Sequence, residues 1–132
     1  EIVDIQYGDG DHLKSADIAK AMLAAHPDLK GLYGTNEGSA IGIVNAANEL
    51  GLKPGAVTII GFDSGAAQIN AIKSGLMAGA ITQDPIGIGK SVVQAAYDVA
   101  NGKKVEGFID TGSYWYDAKN IDDPKIAAVL YQ

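Results

Sequence analysis

Thr58-Ile-Ile-Gly-Phe-Asp-Ser-Gly65 is an apolar, β-branched run that stops on the carboxylate of Asp63 just before a helical pattern begins. A run this short and branched reads as a strand. The unit is repeated on either side of it. Val3-Asp-Ile-Gln-Tyr7 breaks onto Asp9 and Asp11, Gly31-Leu-Tyr33 breaks onto Asn36, and Ala78-Gly-Ala-Ile81 breaks onto Gln83. The spacing predicts strands over 2–7, 31–35, 56–62 and 77–83, with helices over 13–25, 39–50, 65–74 and 86–101. A fifth strand is expected at 107–111.

The helical segments carry their own punctuation. Asp11 stands where an N-cap belongs, Pro27 closes the first helix, and Gly51, Gly75 and Gly102 follow the later ones. Strands alternating with helices imply an α/β fold: a parallel sheet with right-handed crossovers and helices on its faces. After residue 113 the pattern changes. Tyr114-Trp115-Tyr116 holds the single Trp, residues 120–124 read as a turn, and 126–130 as a short closing element.

Nearly half of the 132 residues are apolar (47%), enough for one continuous core in one domain, 1–132. The net charge of −6 argues against a nucleic-acid partner, which needs clustered Lys and Arg; Lys103-Lys104 is the longest basic run. Without cysteine there is neither a disulfide framework nor a thiolate metal site. No apolar stretch approaches the roughly 20 residues of a membrane helix. The opening Glu1-Ile-Val-Asp4 enters a strand almost at once, with neither initiator Met nor secretory signal, as expected of a fragment of a longer protein.

Several motifs come close to a chemistry and stop short. Asp84-Pro-Ile-Gly-Ile-Gly-Lys-Ser91 nearly spells a phosphate-binding loop, but Asp84 puts a carboxylate where the first glycine belongs and Pro85 removes an N–H donor. Asp110-Thr-Gly-Ser113 resembles an aspartic-protease loop, yet a single copy cannot form the proton-sharing pair. Asp9-Gly-Asp11 lacks the later ligands of a calcium loop. His12 and His26 have no partner at metal-ligand spacing, so no metal site, cofactor or catalytic residue is expected.

The polar exits remain. In an open α/β sheet the carboxyl ends of the strands share one edge, where ligands bind. Asn36, Asp63 and Gln83 come to that edge from three strands, with Asp9 at a fourth. Singly, Asn36 and Asp63 are equally well helix caps. Together the set is made of hydrogen-bonding groups rather than nucleophiles, suited to an uncharged, hydroxyl-rich ligand.

These pieces together resemble the type I periplasmic sugar-binding proteins of the ribose-binding kind, related to the effector domains of LacI-type regulators. The resemblance is carried by His26-Pro-Asp28, Leu32-Tyr-Gly-Thr-Asn-Glu37 with Ala40-Ile-Gly42, Ile59-Ile-Gly-Phe-Asp63, Ile72-Lys-Ser-Gly75, Ala80-Ile-Thr-Gln83 with Pro85 and Ile88-Gly89, and Asn101-Gly-Lys-Lys-Val105. It implies most of the carboxyl-terminal lobe of a two-lobed solute-binding protein, with 84–106 crossing to an amino-terminal lobe outside this chain. It further implies a sugar ligand, a membrane permease as partner, and a place in the periplasm or at the outer cell surface. By the same resemblance Asn36 and Asp63 bond sugar hydroxyls from this lobe and Gln83 from the hinge. Ribose binders carry an aromatic residue where this chain has Gly10, so stacking on the sugar from this lobe either falls to Tyr7 or to the 114–116 cluster or is absent, and the resemblance does not extend to pentose specificity. The alternative is the effector-binding domain of a LacI-type regulator.

Overall fold

The computed structural model describes residues 1–131. Its elements are α1 (His12–Ala25), β1 (Gly31–Tyr33), α2 (Glu37–Glu49), β2 (Thr58–Phe62), α3 (Ala66–Lys73), β3 (Gly79–Gln83), α4 (Pro85–Ala100), β4 (Ser113–Tyr116) and the short α5 (Pro124–Ala127). One sheet runs in the order β1-β2-β3-β4. The pairs β1·β2 and β2·β3 are parallel and β3·β4 is antiparallel. The helices start and stop where their punctuation says. The Asp11 side chain accepts the Lys14 N–H at 2.7 Å, and Gly75 and Gly102 follow α3 and α4 in the left-handed conformation (φ 80° and 72°) that only glycine adopts freely.

Alternation along the strands locates the core. Leu32, Ile59, Ala80 and Tyr116 are buried on one sheet face, under Ala40, Ala46 and Ala47 of α2 and Ile69 and Ile72 of α3. Because β1, β2 and β3 step across the sheet in one direction, right-handed crossovers place α2 and α3 on the same side. Ala16 and Ala19 bring α1 into this layer beside α2. The contact is close because position 42 is glycine: a Cβ there would lie 2.5 Å from the Ser15 Cβ and 2.8 Å from the His12 carbonyl oxygen. The opposite sheet face is half open. Tyr33 and Trp115 are exposed on it, and Ile60, Phe62 and Ile81 are only half-buried. The described helices thus cover one face where two were expected.

Two strand expectations are corrected. Residues 2–7 belong to no strand, and Ile2, Val3, Ile5 and Tyr7 are all exposed. A strand is defined by its partner, and among the described residues no backbone hydrogen bond joins this segment to any other. Residues 107–111 are likewise irregular, with Phe108 and Ile109 exposed. There Asp110 accepts the Gly112 N–H at 2.8 Å in a local turn. The strand forms just after it, at Ser113–Tyr116, where Tyr116 fills the core at 0% exposure.

Helix α4 stands apart. It has an apolar stripe at helical spacing yet no buried residue, and Val92, Val93, Tyr97 and Val99 are each more than 60% exposed. Among the described residues no helix is long and apolar enough to cross a membrane.

The two apolar populations predict opposite outcomes on truncation. Ile72→Ala, at a fully buried site, should cost about 2–5 kcal/mol of unfolding free energy. Val92→Ala on α4 should stay within about 0.5 kcal/mol. Urea denaturation of the two variants beside the parent chain checks both.

Candidate functional site

Register brings the polar exits together. Tyr33 lies opposite Ile60 and Phe62 opposite Ile81, and the Gly34 N–H still bonds the Ile60 carbonyl at 3.0 Å. Asn36, Asp63 and Gln83 therefore all leave the sheet at the carboxyl ends of β1, β2 and β3, on one edge.

Asp63 is the most constrained of them. It has a φ of 72°, a conformation few non-glycine residues adopt. Its backbone is fixed on both sides: the N–H donates to the Ile81 carbonyl at 2.7 Å, and its carbonyl accepts the hydroxyl of buried Tyr116 at 2.6 Å. Its side chain does not cap α3 but accepts the backbone N–H of Glu37, the first residue of α2. Position 65 is the N-cap of α3 and makes no side-chain capping bond. Asn36 has a divided role. Its Oδ1 caps α2 by accepting the Ser39 N–H at 2.8 Å, which leaves the amide nitrogen uncommitted. Gln83 is exposed at the end of β3. The next residue, Asp84, caps α4 through the Gly87 N–H at 2.8 Å.

The first exit loop meets this group from the side. An added Cβ on Gly10 would sit 3.9 Å from the Asn36 amide nitrogen, and one on Gly38 would fall 1.9 Å from the Gly10 carbonyl oxygen. Asp9 also has a positive φ, 55°, and pairs with Lys14. Tyr7 is placed elsewhere. It is 78% exposed and lies along a separate apolar groove that Asn36, Asp63 and Gln83 do not line. In the aromatic cluster Tyr116 is core, while Trp115 shares the half-open face with Ile81 and gives its indole N–H to Asp117 at 3.0 Å.

Three contributors were not legible in the sequence. Glu37 brings a second carboxylate beside Asp63. Tyr131 donates its hydroxyl to Glu37 at 2.7 Å and its backbone N–H to Ser64 Oγ at 3.2 Å. Ser64 also accepts the Thr82 hydroxyl at 3.1 Å, both residues fully buried. Only Glu37 had a signal, its place next to Asn36; Tyr131 meets Glu37 from the other end of the chain. Burial holds the Asp63 carboxyl above the ordinary carboxylate range and the negative charge of Glu37 adds to this, while the Glu37 backbone N–H opposes it. The Tyr131 hydroxyl is pushed up to about 12, first by burial and then by its bond to Glu37.

Comparison with known proteins gives these positions a context. A family model described as a periplasmic binding protein domain matches residues 1–104. The ribose import binding protein of Bacillus subtilis is 31% identical across 80% of this chain and 34% of its own length. Among solved structures, an ABC transporter solute binding protein from Agrobacterium vitis with bound D-fucose superposes with a TM-score of 0.93 at 34% identity, covering 99% of this chain and 45% of that one. A second from the same organism, bound with alpha-D-tagatopyranose, gives 0.94 at 31% identity, covering 100% and 44%. The chain spans about a third of the length of the curated relative.

The raised Asp63 pKa has a definite sign in stability. Between the ordinary value of 3.8 and the higher folded value, the folded chain holds more protons than the unfolded. Stability therefore falls as pH rises through that window, and the full cost is present above it. Asp63→Asn, which tolerates the same φ, should raise the melting temperature at pH 7, with the gain gone below pH 3.8. Tyr116→Phe should cost about 1–3 kcal/mol by leaving the Asp63 carbonyl without its donor. Thermal melts across pH and denaturant titration test the two.

Proposed function

The chain belongs to the periplasmic binding protein domain family, and from that membership we propose that it binds a monosaccharide or similar polyol as part of the solute-binding component of an ABC transporter. The observation that carries this reading is the convergence of Asn36, Asp63 and Gln83 on one sheet edge, with the Asp63 backbone bracketed by Ile81 and Tyr116. A carboxylate and two amides on fixed strand ends accept from and donate to an array of hydroxyls. Such a site rejects an analogue lacking one hydroxyl, because a buried polar group is then left unpaired. The site binds and releases without chemistry, in the periplasm or at the outer face of the cell membrane, and hands its sugar to a membrane permease.

Helix α4 fits the same reading. A helix with an apolar stripe and no buried residue is built to pack on something else. In this proposal 84–106 crosses to an amino-terminal lobe, placing Gln83 at the hinge, and the sugar is held between the lobes. Binding strength then depends on both of them.

Calorimetry on the full-length protein tests the site. Asp63→Asn and Gln83→Ala should each weaken sugar binding by about 10- to 100-fold, the worth of a hydrogen bond to a charged or well-placed polar group. The isolated 132-residue chain should bind the same sugar weakly or not at all. Unchanged affinity in both variants would sink the site, and tight binding by the isolated chain would sink its dependence on a second lobe.

A further inference from the structure

Helix α3 sends one polar side chain into the core. Gln68 is 0% exposed, and its Nε2 donates to the Phe62 carbonyl at 2.9 Å. That carbonyl is where the sheet runs out. On the β1 side, β2 bonds through alternate residues: the Thr58 N–H donates to the Lys30 carbonyl at 2.9 Å, and the Ile60 carbonyl accepts the Gly34 N–H at 3.0 Å. The next step of a parallel ladder would bring the Asn36 N–H to Phe62. Asn36 has already turned away to become the N-cap of α2, and that bond does not form. Gln68 stands in for the missing strand.

The bond fixes a peptide plane. The N–H of the same peptide belongs to Asp63 and donates to the Ile81 carbonyl on the other side of β2, so Gln68 and Ile81 hold the two ends of one planar unit. The following peptide is held through its carbonyl by Tyr116. With both planes fixed the dihedrals between them are set, and the φ of Asp63 comes out at 72°. The other half of the Gln68 amide is a liability. Its Oε1 is buried with no hydrogen-bond partner, and it fits only because position 61 is glycine: a Cβ there would collide with it and with the Met77 methyl. The amide cannot turn over to relieve this, since its oxygen would then face another acceptor. An unpaired buried polar atom weakens a core, and methionine would fill nearly the same volume without one. Packing does not account for Gln68; the carbonyl it grips does.

We propose that Gln68 is a positioning residue for sugar binding: from inside the core it holds the turn after β2 in the one conformation that presents Asp63. This rests on the reading of Asp63 as a partner of sugar hydroxyls, and it adds a residue that no ligand touches. Gln68 acts on both ends of the turn. Its side chain grips Phe62, and its own backbone N–H donates to the Gly65 carbonyl at 2.9 Å. The turn is thus gripped from β3 by Ile81, from β4 by Tyr116 and from α3 by Gln68, and a side chain carried on a turn so held needs little ordering when a sugar arrives.

Three substitutions in the full-length protein test this. The calorimetric probes are D-ribose and D-fucose, and hydrogen exchange at the Asp63 amide is a readout that needs no sugar. Gln68→Met keeps the volume and removes the donor. It should weaken binding and speed Asp63 exchange, each by about tenfold. Its urea midpoint should stay at the parent's, because the unpaired Oε1 disappears as the Phe62 carbonyl loses its donor. Gln68→Glu is the rescue. At about pH 5 a buried glutamic acid is protonated and donates, so affinity and exchange should return to within about twofold of the parent at that pH. Asp63→Asn reports on the site itself. Affinity lost in Asp63→Asn but kept in Gln68→Met, with Asp63 exchange unchanged, would leave the site standing and overturn the role of Gln68. Should Asp63→Asn bind as the parent does, the sugar reading fails first, and Asp63 exchange alone decides whether Gln68 holds the turn. A lower urea midpoint in Gln68→Met, or a Glu variant as weak as the Met variant, would make Gln68 a packing residue and overturn the proposal.

Discussion

The hydroxyl of Tyr116 on the carbonyl of Asp63 ties the last strand to the exit loop after β2, across 53 positions of sequence. A non-glycine residue at a φ of 72° costs on the order of 1–3 kcal/mol and persists only where its surroundings over-determine it. The Ile81 carbonyl supplies one constraint and Tyr116 the other. Without them the loop after β2 could relax, and the Asp63 carboxylate would lose its place beside Glu37. Tyr116 has to stand opposite Ala80 to fill the core with its ring and still reach the exit loop with its oxygen.

The sequence was legible wherever a local pattern decides a local structure. Four helices and three strands formed within a few positions of their expected limits, and the edge carrying Asn36, Asp63 and Gln83 followed from strand direction alone. It failed where a structure is defined by a distant partner. Residues 2–7 have the composition of a strand, but a strand exists only beside another. At 107–111 a short apolar run was outbid by Tyr114-Trp115-Tyr116, whose last ring had a cavity to fill. Tyr131 was invisible for a related reason: nothing near it in sequence announces Glu37, and their meeting depends on the whole fold being in place.

Two large apolar surfaces stay uncovered, and they need different things. A helix satisfies its own backbone, so α4 lacks only side-chain contacts. Any complementary apolar surface can supply those, which suits the face of a second lobe. The groove beside β1 lacks backbone partners and contains an unpaired hydroxyl besides.

Electrostatics at the sheet edge bears on which ligands it can hold. The negative charge of Glu37 adds to the burial that holds the Asp63 carboxyl above its ordinary range, in a chain already carrying a net charge of −6. An anionic ligand would add a third negative charge to this pair, and like charges so placed cost more as the site closes and water leaves. A neutral polyol adds none. In the proposed site a hydroxyl donating to the Asp63 carboxylate would favour the charged form that burial disfavours, so that binding would offset part of the cost of desolvating that carboxylate. Glu37 is already engaged by Tyr131, which leaves Asp63 as the acceptor for the ligand. A phosphorylated sugar presents the same hydroxyls with the wrong charge, and the proposed site would therefore favour the free sugar over its phosphate on charge alone.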